Sequence, residues 1–222
     1  MEKIQMKTAI IAGASGLIGK QLLYNLIEAG EYETVIALVR KELSIASPKL
    51  KQVITDFDDL TMVQHLLKAN DVFCCLGTTI KKAGSQAEFR KVDYKYCYQL
   101  AKETYKQGSQ NFYLVSALGA NPLSTIFYNR VKGETEEAIK HIAFNSFYVF
   151  RPSLLLGDRR EFRLGEKLAQ VVMKPFSLFM LGGLKKYKPI EASVIAKAMY
   201  KVAQKNAKGV IIIENEAIPS YA

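Results

Sequence analysis

Thr8-Ala9-Ile10-Ile11-Ala12-Gly13-Ala14-Ser15-Gly16-Leu17-Ile18-Gly19 is a short apolar run that ends in a G-x-x-G-x-x-G turn and opens directly into a helical pattern, Leu17 to Ala29. One glycine permits a sharp turn, a second lets backbone approach a pyrophosphate with no Cβ in the way, and a third allows a helix to pack closely on its strand. A helix N-terminus at that place offers free N–H groups and the positive end of a dipole to phosphate. The context is the one this reading requires: a strand before, a helix after and a second apolar run, Thr34 to Val39, about 20 residues further on. Gly13, Ser15, Gly16, Leu17, Ile18 and Gly19 are therefore expected to line a dinucleotide. The competing phosphate loop, G-x-x-x-x-G-K-[ST], fails because Ala14 stands at its first glycine and Gln21 follows Lys20.

Outward from this turn the same alternation continues. Strand-like runs at Thr34 to Val39, Val53 to Thr55, Asp71 to Leu76, Phe112 to Ser116, Phe147 to Phe150 and Val210 to Ile213 are separated by helical patterns. These fall at Leu60 to Lys68, Glu88 to Lys106, Thr125 to His141 and Ala192 to Lys205. The strands are apolar on both faces, as a parallel sheet covered by helices on each side demands. The fold expected is a single α/β domain over residues 1–222: a Rossmann fold with a doubly wound parallel sheet. Only Gly157 to Pro189 breaks the rhythm, and it reads as a small C-terminal insertion on the substrate side, covering the carboxyl ends of the strands.

A chain of 222 residues with 49% hydrophobic and 23% charged residues is that of an ordinary globule, neither disordered nor membrane-spanning. The longest apolar candidate, Leu168 to Leu184, is interrupted by Lys174 and Pro175. The first residues run straight into the first strand, leaving no room for a leader, and a cytoplasmic location is expected. Cys74, Cys75 and Cys97 form no disulfide framework, and His65 and His141 share no ligand spacing with them, so no metal is expected. The net charge of +10 is regional: Arg151 to Lys208 holds thirteen basic residues against four acidic ones. No nucleic-acid-binding module accompanies it.

At the end of the second strand the sequence reads Leu38, Val39, Arg40, Lys41. An enzyme using NAD usually places an acid here for the ribose 2′-hydroxyl, whereas a guanidinium pairs with the 2′-phosphate of NADP, so NADP(H) is expected over NAD(H). Asp56 and Phe57 follow the third strand toward the adenine. Leu76 ends the fourth and Gly77, Thr78 and Thr79 follow it, near the pyrophosphate and nicotinamide ribose.

Tyr-x-x-x-Lys occurs twice, at Tyr98/Lys102 and Tyr128/Lys132, so spacing alone decides nothing. Position does: Tyr128 follows Ser116, the end of the fifth strand, by twelve residues, and residues four apart share one helix face. Ser116 is expected to polarise a substrate carbonyl and Tyr128 to donate a proton as hydride arrives. Lys132 would favour tyrosinate and hold the ribose hydroxyls.

The runs G-A-S-G-L-I-G, C-C-L-G-T-T, Y-N-R-V-K-G-E and F-R-P-S-L-L-L-G-D-R-R-E together resemble the atypical short-chain dehydrogenase/reductases, and within them the Tat-interacting-protein oxidoreductases. The resemblance covers about Ala9 to Glu216. It implies a Rossmann fold binding NADPH, with Ser116, Tyr128 and Lys132 on the dehydrogenase triad and Pro152, Ser153 and Leu154 lining the nicotinamide side. The expected partner is a small-molecule substrate. Two other readings stand beside oxidoreductase chemistry: an NADP(H)-sensing regulator without turnover, and a peripheral membrane or anion-binding protein using the basic region. A nucleotide-sugar epimerase shares the chemistry, but the chain beyond Gly157 is short for a full sugar-binding domain.

Overall fold

The computed structural model describes residues 6–156, 182–205 and 207–222. Nine strands lie within them: β1 (Lys7–Ala12), β2 (Tyr32–Val39), β3 (Leu50–Ile54), β4 (Asp71–Cys74), β5 (Asn111–Val115), β6 (Ser146–Arg151), β7 (Leu155–Leu156), β8 (Ile190–Glu191) and β9 (Gly209–Glu214). The helices are α1 (Leu17–Glu28), α2 (Ile80–Ala83), α3 (Gln86–Arg90), α4 (Cys97–Lys106), α5 (Phe127–Lys140) and α6 (Ala192–Val202). Seven strands form one parallel sheet in the order β3-β2-β1-β4-β5-β6-β9. The chain steps outward from β1 to β3, returns to β4 on the other side of β1 and continues to β9. This is a single Rossmann-like α/β domain, and its order reverses between β1 and β4, where open α/β sheets hold ligands at the carboxyl ends of their strands.

The pleat sends alternate residues to opposite faces. Ala9 and Ile11 pack with Leu22, Leu23 and Leu26 of α1 and with Ile195, Met199 and Val202 of α6. Ile10, Ala12, Val72 and Cys74 pack instead with Cys97, Leu100 and Ala101 of α4 and Ile139 of α5. Two cores explain the unbroken apolar runs: both faces of each central strand are buried, and each Leu or Ile so buried contributes roughly 1.5–3 kcal/mol.

Three boundaries differ from expectation. β3 begins at Leu50, because Leu50, Lys51 and Gln52 already pair with Val35, Ile36 and Ala37; as an edge strand it carries polar residues that mask its periodicity. The helix expected over Leu60 to Lys68 is a 3-10 turn, Thr61–Leu66. The single helix expected over Glu88 to Lys106 is α3 and α4 joined by a π-helical turn, Lys91–Tyr96. Past β6, β7 pairs in parallel with β8. Of the expected insertion, residues 157–181 lie outside the described residues; its end is a 3-10 turn, Gly182–Tyr187.

Candidate active site

The glycine turn closes on the sheet where the strand order reverses. Gly13 has φ +85°, and a Cβ there would stand 2.4 Å from the Cys75 carbonyl oxygen; Cys75 N–H in turn donates to Ala12 O at 2.9 Å. Gly19 is equally constrained, since its Cβ would fall 2.2 Å from Gly13 O. Gly16 caps α1 and donates its N–H to Gly13 O at 2.9 Å, and Lys20 N–H makes a helical bond to Gly16 O. The first-turn N–H groups of a helix lack intrahelical acceptors, and neither a capping side chain nor an acid occupies them in α1. Ser15 and Gly16 are exposed, Leu17 is half-buried, and Ile18 belongs to the α1 core, so Ile18 has only backbone to offer a ligand.

Arg40 lies exposed at the end of β2 with no hydrogen-bond or ion-pair partner among the described residues. Asp56 is exposed after β3, but the Phe57 ring turns inward against Tyr96, with centroids 5.9 Å apart, and the chain bends there at φ +68°. Phe57 as a whole is 3% exposed and offers a ligand almost no surface. The adjoining loop is pinned by Asp58, which pairs with Lys91 at 2.8 Å and Lys95 at 3.2 Å and accepts from Tyr96 OH at 3.1 Å. These partners, Lys91 foremost, hold the Asp58 carboxyl down at about 2.

Beyond β4, Gly77 is exposed, and a Cβ on it would lie 3.4 Å from Asp93 Oδ1 and 3.7 Å from Lys132 Nζ. The C-C-L-G-T-T turn therefore reaches the lysine of α5. Asp93, in the π-helical turn, is wholly buried; its Oδ1 lies 2.8 Å from Lys132 Nζ, and its Oδ2 accepts from Thr78 N–H at 2.9 Å. Lys132 is itself 6% exposed. Burial depresses its ammonium, but Asp93, and after it Tyr128 and Cys97, more than offset this and hold it above the ordinary lysine value. Tyr128, one turn earlier, lays its ring on Phe89 at 5.3 Å between centroids, and its hydroxyl has no hydrogen-bond partner among the described residues. The other pair is separate: Tyr98 stacks on Tyr94 and Lys102 is exposed.

Ser116 stands just past β5, donating its N–H to Phe150 O. Its hydroxyl is engaged by Glu136, two turns beyond Tyr128 on α5, in a short hydrogen bond. Arg151 holds that carboxylate through Nε at 3.1 Å and Nη2 at 2.6 Å and reaches Glu214 through Nη1 at 2.9 Å. A carboxylate so paired accepts only, so the serine proton is directed at Glu136 rather than at a substrate. This differs from the free donor expected of Ser116. The next loop is also fixed: Leu118 N–H donates to Pro152 O at 2.9 Å, Ser153 N–H to Asn215 Oδ1 at 2.9 Å, Ser153 hydroxyl to Lys188 O at 2.6 Å and Ile190 N–H to Leu154 O at 3.0 Å.

The strand ends thus bring the glycine turn, Leu76 to Thr78 and Lys132 together, with Tyr128 beside Lys132, and tie Ser116 to α5 through Glu136. Sequence reading missed Asp93, Glu136, Arg151, Asn215 and Gly133, whose Cβ would strike Asn121 and Pro122 backbone at 2.2–2.3 Å. Glu136 repeats the four-residue spacing of Tyr128 and Lys132. Asp93 was detectable as an acid within the apolar stripe of Phe89, Cys97 and Ala101. Nothing local marks Asn215.

Residues 13–171 match the sequence model of a family described as NAD(P)H-binding. Protein HTATIP2 of Rattus norvegicus is 38% identical over 172 residues, 76% of this chain and 71% of that protein. Protein FMP52, mitochondrial, of Candida albicans is 33% identical over 208 residues, 91% and 90%. Among solved structures, MoeE5 in complex with UDP-glucose and NAD superposes with a TM-score of 0.71 at 17% identity, covering 93% of this chain and 75% of that one. A short chain dehydrogenase family protein from Francisella tularensis gives 0.67 at 17%, covering 95% and 98%. At such identities these structures speak to the fold alone. No helix among the described residues is long and apolar enough to cross a membrane.

Proposed function

This chain belongs to the NAD(P)H-binding family of atypical short-chain dehydrogenase/reductases, and from that premise we propose that it is an NADP(H)-dependent oxidoreductase moving hydride to or from the carbonyl or alcohol of a small-molecule substrate. The observation that carries the proposal is the buried Lys132 ammonium beside Gly77 with Tyr128 one turn away. Burying a charge is costly, and an NADP(H) sensor has no use for a tyrosine held next to one.

The residues present fit the nucleotide: Gly13 and Gly19 admit no Cβ against the Cys75 and Gly13 carbonyls, which keeps the turn tight, and the start of α1 is uncapped. Gly13, Ser15, Gly16, Leu17, Ile18 and Gly19 would hold the pyrophosphate, Arg40 the 2′-phosphate, and Asp56 the adenine side. Leu76, Gly77, Thr78 and Lys132 would hold the ribose end, and Pro152, Ser153 and Leu154 the nicotinamide side. When bound, the nicotinamide supplies or takes the hydride. Tyr128 donates its proton to the carbonyl oxygen as the alcohol forms, and the Lys132 charge favours the tyrosinate left behind. Ser116, with its proton on Glu136, meets an alcohol as an acceptor; polarising a carbonyl requires turning that proton away.

NADPH consumption over a panel of aldehydes, ketones and quinones tests this. Tyr128→Phe should lower turnover roughly 10²- to 10⁴-fold, the usual worth of a general acid, with NADPH binding largely intact, and Tyr98→Phe should leave turnover within a fewfold. Binding without turnover of any carbonyl favours the sensor instead, and a more damaging Tyr98→Phe moves the site to the other pair. The proposed compartment is the cytoplasm; co-fractionation with mitochondria, the address in the names of the fungal relatives, overturns it.

A further inference from the structure

We propose that Asp93 is a positioning residue, which locks the Lys132 ammonium and the backbone of the Gly77–Thr78 turn into one unit that meets the ribose end of the nucleotide; this rests on the NADP(H) reading above. Asp93 is fully buried and so acts through others. Its two oxygens divide between two elements, Oδ1 facing Lys132 Nζ at 2.8 Å and Oδ2 accepting from Thr78 N–H at 2.9 Å. Its main-chain oxygen accepts from Thr135 hydroxyl at 2.9 Å, one turn past Lys132 on α5. A π-helical turn leaves the regular ladder of its helix; here it brings Asp93 side chain and backbone onto α5 together.

The Asp93–Lys132 contact is close, 2.8 Å between Oδ1 and Nζ, and both groups are buried. Gly77 leaves a gap beside both partners, where a Cβ would stand 3.4 Å from Oδ1 and 3.7 Å from Nζ. An ion pair with a purely structural task has no need of an open glycine against both partners. The groups facing Lys132 are Asp93 from the π-helical turn, Tyr128 from its own helix and Cys97 from α4. Burial is the largest single influence on the lysine and acts downward, and the Asp93 carboxylate is the foremost of those that oppose it.

The test follows Lys132 by NMR in protein with labelled lysine side chains, assigned through Lys132→Arg, without nucleotide. The wild-type signal should stay protonated above pH 10.5, the ordinary lysine value. Asp93→Asn, of the same shape and still able to accept from Thr78, should bring the midpoint below 10.5 and weaken NADPH binding about tenfold or more, as loss of a charged partner does. A wild-type midpoint at or below 10.5 overturns the proposal even if the variant fails to fold. An Asp93→Asn midpoint or NADPH affinity equal to wild type also overturns it. A wild type that binds no NADPH overturns the cofactor reading instead, and the two midpoints then decide whether Asp93 governs Lys132.

Discussion

Arg40 reaches into solvent from the end of β2 with its guanidinium unspent among the described residues. A solvated guanidinium beside a dinucleotide turn is free to take an anion, and a phosphate is the group it matches bidentately. NADPH should therefore bind more tightly than NADH, and Arg40→Ala should remove most of the difference, about ten- to a hundredfold for a charge-assisted contact of ~1.5–3 kcal/mol. Competitive titration of both nucleotides against wild type and variant reads this directly. A preference unchanged by the substitution takes Arg40 out of the site. Ser116 shows what a residue-level reading leaves open: its position after β5 was legible, but the direction of its proton depends on Glu136 and Arg151, which arrive from α5 and β6.

At the scale of elements, the loop after β3 is fastened to the π-helical turn between α3 and α4 by Asp58 and its partners Lys91, Lys95 and Tyr96. Its folded carboxyl sits at about 2, below the ordinary 3.8. A depressed acid contributes stability that is fully present above the unfolded value and is lost as pH falls through the folded one. Thermal melting should therefore show an acid limb between about pH 4 and 2 that is shallower in Asp58→Asn. An identical slope in the variant would mean that the lysines do not hold this loop. The elements themselves were largely legible, because apolar runs buried on both faces and helices with apolar stripes carry local signals. β3 and the 3-10 turn at Thr61–Leu66 were not, since an exposed edge and a single tight turn impose little periodicity. The π-helical turn was invisible for another reason: it is set by what Asp93 meets on α5, contacts 42 residues away.

Over the whole molecule, the sheet order explains why a turn near residue 13 and a lysine at 132 share one site. β4 lies beside β1, so the turn after β4 meets the glycine turn on one side and α5 on the other. That convergence followed from the alternation of strands and helices together with the known winding of such sheets, not from any single motif. The regional charge was also legible, although Arg151, counted with it, is spent on Glu136 and Glu214 inside the domain. The central claim is that these distant segments form one NADP(H) site. Amide hydrogen exchange with and without NADPH tests it most directly. Simultaneous protection of Gly13 to Lys20, Leu76 to Thr79 and Tyr128 to Gly133 is the predicted result; saturating NADPH that leaves these three segments unchanged, or protects only others, would contradict it.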